Sequence, residues 1–345
     1  NYTQSWYSDS LATETTDIEL FDGNGNGWGE IIVSCTDGNV YSFEGVTLNL
    51  PITNYLFFDS SDPVWLNDNI SQPADFSLNE SRRIMATIDY GNDGIDDIVV
   101  PYVDPGNSST LAQVWLLNGT DGSIIWNWQG GPANGIIYEL RTGDVNGDGF
   151  DDVVFVMKKD TSEFLVFSLN GITGSEIWKD PVQLTMVGNK IYDLALADLD
   201  NNSLMDVLIA YDKYVAVINS TTGYKTPPLH NFFSDTYVAE SIDVSNGSII
   251  ITGRKTDDMT SKLVIYDFNR THILTKVYND TLGAIAAGFG NLNTNDKIAD
   301  PIVVVNRTIY AYDGQTQELL WNTTINEPLL TNDLLTYDFN HDNIS

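Results

Sequence analysis

One nine-residue string, Asp144-Val-Asn146-Gly-Asp148-Gly-Phe150-Asp151-Asp152, constrains the fold more than any other feature because it recurs along the chain in altered form. Oxygen-bearing side chains stand at its positions 1, 3, 5 and 9, and the carbonyl of position 7, Phe150, can join them. A hard cation such as Ca²⁺ takes roughly six to eight oxygens, and a tight Gly-containing loop supplies them from one short segment. Near-copies run Asp22-Gly-Asn24-Gly-Asn26-Gly-Trp28-Gly-Glu30 and Asp198-Leu-Asp200-Asn-Asn202-Ser-Leu204-Met-Asp206. A weaker one, Asp89-Tyr-Gly91-Asn-Asp93-Gly-Ile95-Asp-Asp97, has Gly91 at the second ligand position. The expected ligands are therefore the oxygen-bearing side chains at positions 1, 3, 5 and 9 of these strings together with the carbonyls of Trp28, Ile95, Phe150 and Leu204.

An EF-hand shares this opening but needs a bidentate Glu at position 12 and flanking helices. Position 12 here is Val33, Val100, Phe155 and Ile209, all apolar. Runs such as Ile31-Ile-Val33, Ile98-Val-Val100, Val153-Val-Phe-Val156 and Val207-Leu-Ile209 follow the loops and read as strands buried on both faces. Asp, Asn and Gly also serve simply to close hairpins. That simpler reading leaves the carboxylate at position 9 unexplained, because the chain is by then back in a strand.

Three further units extend the series. Asn291-Leu-Asn293-Thr-Asn295-Asp-Lys-Ile-Ala-Asp300 carries one extra residue before its closing carboxylate. Asp338-Phe-Asn340-His-Asp342 opens a loop that Ser345 cuts short, and Asp243-Val-Ser-Asn-Gly247 is a shortened loop expected to hold no metal. Loop starts at 22, 89, 144, 198, 243, 291 and 338 recur at a period that means a solenoid, propeller or array. Within each unit a second strand follows (Gln113–Leu117, Phe164–Phe167, Tyr214–Ile218, Leu263–Tyr266, Ile309–Tyr312). A turn (Asn118–Gly122, Asn170–Gly174, Asp313-Gly314) then leads to a strand containing Trp126, Trp178 or Trp321. Four short strands per unit, without helical periodicity, describe an all-β propeller of four-stranded blades.

Trp6 stands before Asp22 much as the other tryptophans stand before the next loop. Thr3–Tyr7 is thus expected as the outermost strand of a blade whose first strand is Leu334–Asp338, closing the ring so that no sheet edge is left open. The expectation is one domain over 1–345, seven-bladed, with six complete blades and a seventh split between 1–17 and 331–345. Its two middle strands are supplied either by sequence beyond Ser345 or by a neighbouring subunit, and truncation is the preferred account.

These loops and strands resemble the FG-GAP repeat of integrin α-subunit propellers and related repeats of bacterial and archaeal surface proteins. Ala287-Gly-Phe-Gly290 is close to the namesake motif of that family, and the Asp-Gly…Trp segments resemble strands of the quinoprotein-dehydrogenase propeller repeat. The resemblance covers nearly the whole chain. It implies a calcium-stabilised, non-catalytic propeller used for surface interactions, with three to six Ca²⁺ ions tying the innermost hairpins on one face. Fold alone does not fix function.

Forty-eight acidic against sixteen basic residues give a net charge of −32. Such a balance argues against nucleic acid or an anionic membrane as partner, since both need basic patches. No apolar run approaches the length needed to cross a bilayer. The single Cys35 is expected as a small core residue. Sequons start at Asn1, Asn69, Asn79, Asn107, Asn118, Asn201, Asn219, Asn246, Asn269, Asn279, Asn306, Asn322 and Asn343, against about five or six by chance. Asn201 and Asn343 lie inside loops and are discounted as glycan sites; the rest suggest glycosylation and export to the cell surface. Many sequons without disulfides point to an archaeal or bacterial surface protein.

The three histidines, His230, His272 and His341, have no metal-ligand or triad spacing. Pairs such as Asp96-Asp97 and Asp151-Asp152 invite a glycosidase reading, but their repetition with every loop favours ligation and turn formation. Partners are expected to be other surface proteins or further copies of the chain, in adhesion or in a surface layer or filament. The alternatives are a carbohydrate-binding module using Trp65, Trp126 and Trp128, or a polysaccharide-active enzyme. The insertion at 59–83, with Pro63 and Pro73, is the best candidate for a partner contact, the alternative being decoration without function.

Overall fold

A computed structural model describes residues 15–25, 29–35, 40–43, 45–50, 53–58, 65–67, 84–102, 111–133, 135–159, 163–178, 182–185, 191–211, 214–225, 237–245, 247–255, 260–269, 271–279, 285–292, 298–325 and 334. Regular structure among them is entirely β. Six four-stranded antiparallel sheets follow one another along the chain. Sheet 1 holds β1 (Thr15–Phe21), β2 (Glu30–Cys35), β3 (Val40–Phe43) and, after a separate hairpin of β4 (Gly45–Leu50) and β5 (Thr53–Phe58), β6 (Trp65–Asn67). Sheet 2 is β7 (Ala86–Ile88), β8 (Asp97–Tyr102), β9 (Leu111–Leu117) and β10 (Ile124–Ala133). Sheet 3 is β11 (Ile136–Gly143), β12 (Asp152–Lys158), β13 (Glu163–Leu169) and β14 (Val182–Thr185). Sheet 4 is β15 (Ile191–Ala197), β16 (Asp206–Tyr211), β17 (Tyr214–Asn219) and β18 (Tyr224–Lys225). Sheet 5 is β19 (Val238–Ser245), β20 (Ser248–Lys255), β21 (Thr260–Asp267) and β22 (His272–Asn279), and sheet 6 is β23 (Ile285–Gly290), β24 (Asp300–Val305), β25 (Thr308–Tyr312) and β26 (Leu319–Thr324).

The apolar runs after the loops are second strands, and their alternation explains their burial. Phe155 and Met157 of β12 pack with Ile88, Val99 and Leu116 of sheet 2. Val154 and Val156 pack with Leu194 and Ile209 of sheet 4. Successive side chains of one strand point to opposite faces, so a strand sandwiched between two neighbours must be apolar at every position. In the same way β20 sends Ile249 and Ile251 toward sheet 4 and Ile250 toward sheet 6. Cys35 is buried in β2.

First strands of successive sheets lie side by side, β1 by β7, β7 by β11, and so on to β23. Polar groups stitch them. Asp17 Oδ2 accepts from the backbone N–H of Ile84 (2.7 Å) and Met85 (2.8 Å), and Asp193 Oδ2 from that of Ile242 (2.9 Å). Arg141 Nη2 donates to Asp193 Oδ1 at 2.7 Å. Asp243 belongs to this set rather than to a loop. It sits within β19 opposite Ile250, and its Oδ2 accepts from Phe289 N–H at 3.1 Å. The shortened unit of sheet 5 therefore closes with Ser245 of β19 opposite Ser248 of β20.

Expectations on 1–14 and 335–345, including the closing strand at Thr3–Tyr7 and the loop at Asp338, Asn340 and Asp342, lie outside the described residues. Of the segment 59–83, Trp65–Asn67 is described, and it is the fourth strand of sheet 1; the β4–β5 hairpin stands before it.

Candidate functional site: the loops between first and second strands

Each long loop joins the first strand of its sheet to the second, so the oxygen-rich segments share one topological place. Their closing carboxylates are among the most buried ionisable groups of the described residues: Glu30 3%, Asp97 4%, Asp152 0%, Asp206 2% and Asp300 0% exposed. Each is stapled. Asp152 Oδ2 accepts from Val145 N–H (3.1 Å) at loop position 2, and its Oδ1 from Gly171 N–H (3.2 Å) in the turn between the third and fourth strands. Asp97 repeats this with Tyr90 (3.2 Å) and Gly119 (2.9 Å), and Asp300 with Leu292 (2.9 Å) and Gly314 (2.8 Å). Glu30 Oε2 takes Gly23 N–H at 2.8 Å, and Asp206 Oδ1 takes Ser220 N–H at 2.9 Å. Position 9 thus has a structural reason independent of any ion, which the sequence reading lacked. The extra residue in the Asn291 unit leaves the staple intact.

Position 1 organises the rest of the loop. Asp144 Oδ1 accepts from Gly147 N–H (2.6 Å) and Oδ2 from Gly149 N–H (3.0 Å). Asp89 takes Asp93 (2.9 Å) and Gly94 (3.0 Å), and Asp198 takes Asn202 (2.9 Å) and Ser203 (2.8 Å). A carboxylate oxygen holding one N–H keeps a second lone pair. In the Asp144 loop, Asn146 Oδ1 accepts from Asp148 N–H (2.8 Å), while its Nδ2 donates to Asp148 Oδ2 (3.1 Å) and Asp152 Oδ1 (2.9 Å). Asn24 Nδ2 likewise meets Glu30 Oε1 at 3.1 Å. Amide hydrogens therefore fill the point on which the carboxylates converge. Among the described residues no three Asp, Glu, His or Cys side chains already form a ligand set.

Burial, with smaller contributions from neighbouring carboxylates, disfavours the charged form of these groups. Burial pushes Asp152 up to about 7, with Asp148 and Asp144 adding to the rise and two backbone N–H groups opposing it. Asp97 is pushed up to about 6, chiefly by burial, with Asp93 and Asp89 contributing. Asp206, Asp96 and Asp151 are raised as well, burial again the largest cause.

Neighbouring loops interlock. Asp96 N–H, at position 8, donates to Asp22 O (2.9 Å), and Met205 N–H, also at position 8, to Asp144 O (2.8 Å). The position-7 side chain covers the position-4 glycine of the preceding loop: a Cβ at Gly147, where φ is +82°, would lie 2.9 Å from Leu204 Cδ2.

Several expected residues are elsewhere engaged or not described. Gly91 leaves the Asp89 loop without a side chain at position 3, as expected. Asn26, Trp28, Asn293 and Asn295 lie outside the described residues. Trp126 donates to Gly171 O (2.7 Å) and rests against Gly174, while Trp128, 7% exposed, stacks among Phe155 and Phe167 and donates to Glu176 (3.2 Å). Neither is an open sugar platform. Asn269, Asn279 and Asn322 are exposed, and Asn118, Asn219 and Asn306 half-buried; Asn1, Asn69, Asn79, Asn107 and Asn246 are not described. The participation of the turn residues Asn170, Gly171 and their counterparts was missed, although their recurrence after each second strand was visible.

Residues 144–209, from the Asp144 loop into β16, match the FG-GAP-like repeat family. No curated protein matches the sequence. Among solved structures, BBS1N in complex with ARL6DN, soaked with mercury, superposes with a TM-score of 0.60 at 9% identity, covering 93% of this chain and 85% of that one. The Dos1 propeller gives 0.55 at 10% identity, covering 92% and 73%. Likeness at such identity shows fold alone.

Proposed function

From an FG-GAP-like repeat in a β-propeller-like fold, we propose a non-enzymatic, Ca²⁺-stabilised propeller displayed outside the cell, which serves adhesion or assembly by contact with other surface proteins or further copies of itself. The observation that carries this reading is the repeated all-oxygen loop, interlocked from sheet to sheet and left with excess negative charge. Its donors are the hard oxygens that Ca²⁺ takes, and weak sites of this kind suit millimolar external calcium. Asp144, Asn146, Asp148, Asp152 and the Phe150 carbonyl would hold one ion. Asp198, Asp200, Asn202, Asp206 and the Leu204 carbonyl would hold another. Asn146 presents its amide hydrogens to the carboxylates, so a bound cation would require that side chain to turn its oxygen inward.

The ion supplies charge neutralisation and rigidity, and the sheets supply the scaffold. Ligands that bind only the folded state stabilise it by mass action. Thermal melts in Ca²⁺ and in EGTA should differ by several degrees, and coincident melts would sink the reading. A glycan array giving tight, Ca²⁺-dependent binding would move the assignment to carbohydrate recognition. Loss of mass on deglycosylation would support the exposed sequons at Asn269, Asn279 and Asn322.

A further inference from the structure

The turn between the third and fourth strands begins with Asn118, Asn170 and Asn219 in sheets 2 to 4, but with Asp267 and Asp313 in sheets 5 and 6. Building the turn needs only Oδ1. Asn118 Oδ1 accepts from Thr120 N–H (2.9 Å), Asn170 Oδ1 from Thr173 N–H (3.0 Å), and Asn219 Oδ1 from Thr222 N–H (3.3 Å). Asp267 and Asp313 do the same with Thr271 and Thr316, each at 2.6 Å. Asn and Asp are equally able turn formers here, so the turn does not explain the choice.

The other side-chain atom differs. Asn170 Nδ2 donates to Asp148 Oδ2 at 2.8 Å, and Asn219 Nδ2 to Asp200 Oδ2 at 3.3 Å. Asp148 is at loop position 5 and Asp200 at position 3. In sheets 3 and 4 the amide reaches whichever position carries the inner carboxylate, rather than a fixed point of the loop. Its orientation is set from both sides, since a backbone N–H must face the oxygen and a carboxylate must face the NH₂.

We propose that Asn170 and Asn219 are positioning residues for the cation sites of the Asp144 and Asp198 loops, holding an inner carboxylate in place so that each site is built from two hairpins. This rests on the Ca²⁺ reading above. An amide donor steadies a carboxylate and leaves its remaining lone pairs for a metal, as outer-layer partners of metal ligands do. An Asp there would instead add charge to an already crowded group. Of the two sheets with Asp, sheet 5 pairs Ser245 directly with Ser248 in place of a long loop, and the sheet 6 loop carries Asn291, Asn293 and Asn295 at positions 1, 3 and 5. A glycan on Asn219 would take one of the N–H groups that this role uses.

Asn170→Asp separates the roles, because it keeps the turn-forming oxygen and removes the donor. In EGTA this variant should melt about 2–4 °C below wild type, and Ca²⁺ should close that gap by neutralising the added charge. Melting with wild type in EGTA would show a turn-only role and overturn the proposal. Asn170→Ala, titrated with Ca²⁺ by calorimetry, should weaken one class of site by about 10–100-fold; a titration superimposable on wild type overturns it equally. Wild type that binds no Ca²⁺ would overturn the cation reading itself, a result distinct from either.

Discussion

Sheets 3 and 6 share the same hairpin staple and differ in the sequence of the loop that it closes. Asp152 and Asp300 are both fully buried, and each ties loop position 2 to the turn between the third and fourth strands. Around Asp152 stand Asp144, Asn146, Asp148 and Asn170; around Asp300 the loop has Asn at positions 1, 3 and 5, one inserted residue, and Asp313 in the turn. The difference teaches that the closing carboxylate serves the scaffold whether or not it also meets a cation, while positions 1, 3 and 5, steadied by the turn amide, form a layer that can vary without losing the staple. Sheet 5 marks the limit: it has neither the loop nor the staple, and β19 and β20 still pair along their length.

The largest expected effect attacks what the two sheets share. Asp300→Ala and Asp152→Ala should each cost about 2–4 kcal/mol, because each leaves two buried backbone N–H groups without an acceptor. The loss should be present in EGTA as well as in Ca²⁺, read by chemical denaturation. If Asp300→Ala were harmless, the scaffold account of position 9 would fail.

A middle-sized effect sharpens the contrast by pH. Asp152 and Asp97 have folded-state values raised to about 7 and about 6, so the folded chain holds more protons than the unfolded one between about pH 4 and 7. Stability in EGTA should therefore rise as pH falls from about 7 to 5, by on the order of 2 kcal/mol. In saturating Ca²⁺ the ionised form is held by the metal and the slope should reverse. Parallel slopes in both buffers would separate these carboxylates from any cation.

The smallest effect tests the layer alone. Asp148→Ala should cost about 1 kcal/mol in Ca²⁺ and nothing in EGTA, where it relieves repulsion at Asp152. Because Asp144 O receives Met205 N–H and Leu204 covers Gly147, the Asp198 loop should also bind Ca²⁺ more weakly. A loss confined to one ion would show that the loops are independent.

Much of this architecture could be read from residue pattern. The run Val153–Val156 announced a strand between two neighbours, and alternation of Phe155 and Met157 against Val154 and Val156 between two cores bears that out. Asp243 misled because an Asp before Ser-Asn-Gly looks like a loop start; only pairing register shows it within a strand. The β4–β5 hairpin carries no repeat signal and was not anticipated. Asn170 escaped because its contact with Asp148 joins residues far apart in sequence, and local spacing is blind to such contacts.

Where the loops interlock, the seam has a direction. In the Asp22–Asp89 and Asp144–Asp198 seams the earlier loop offers its first carbonyl to the position-8 N–H and its fourth glycine to the position-7 side chain of the later loop, and in the first of them Asp22 N–H also donates back to Asp96 Oδ2 at 2.9 Å. At these two seams the loops lap in one sense, like roof tiles each laid over the one before. Loss of the position-4 glycine in either earlier loop should therefore disturb the loop that follows it in the chain.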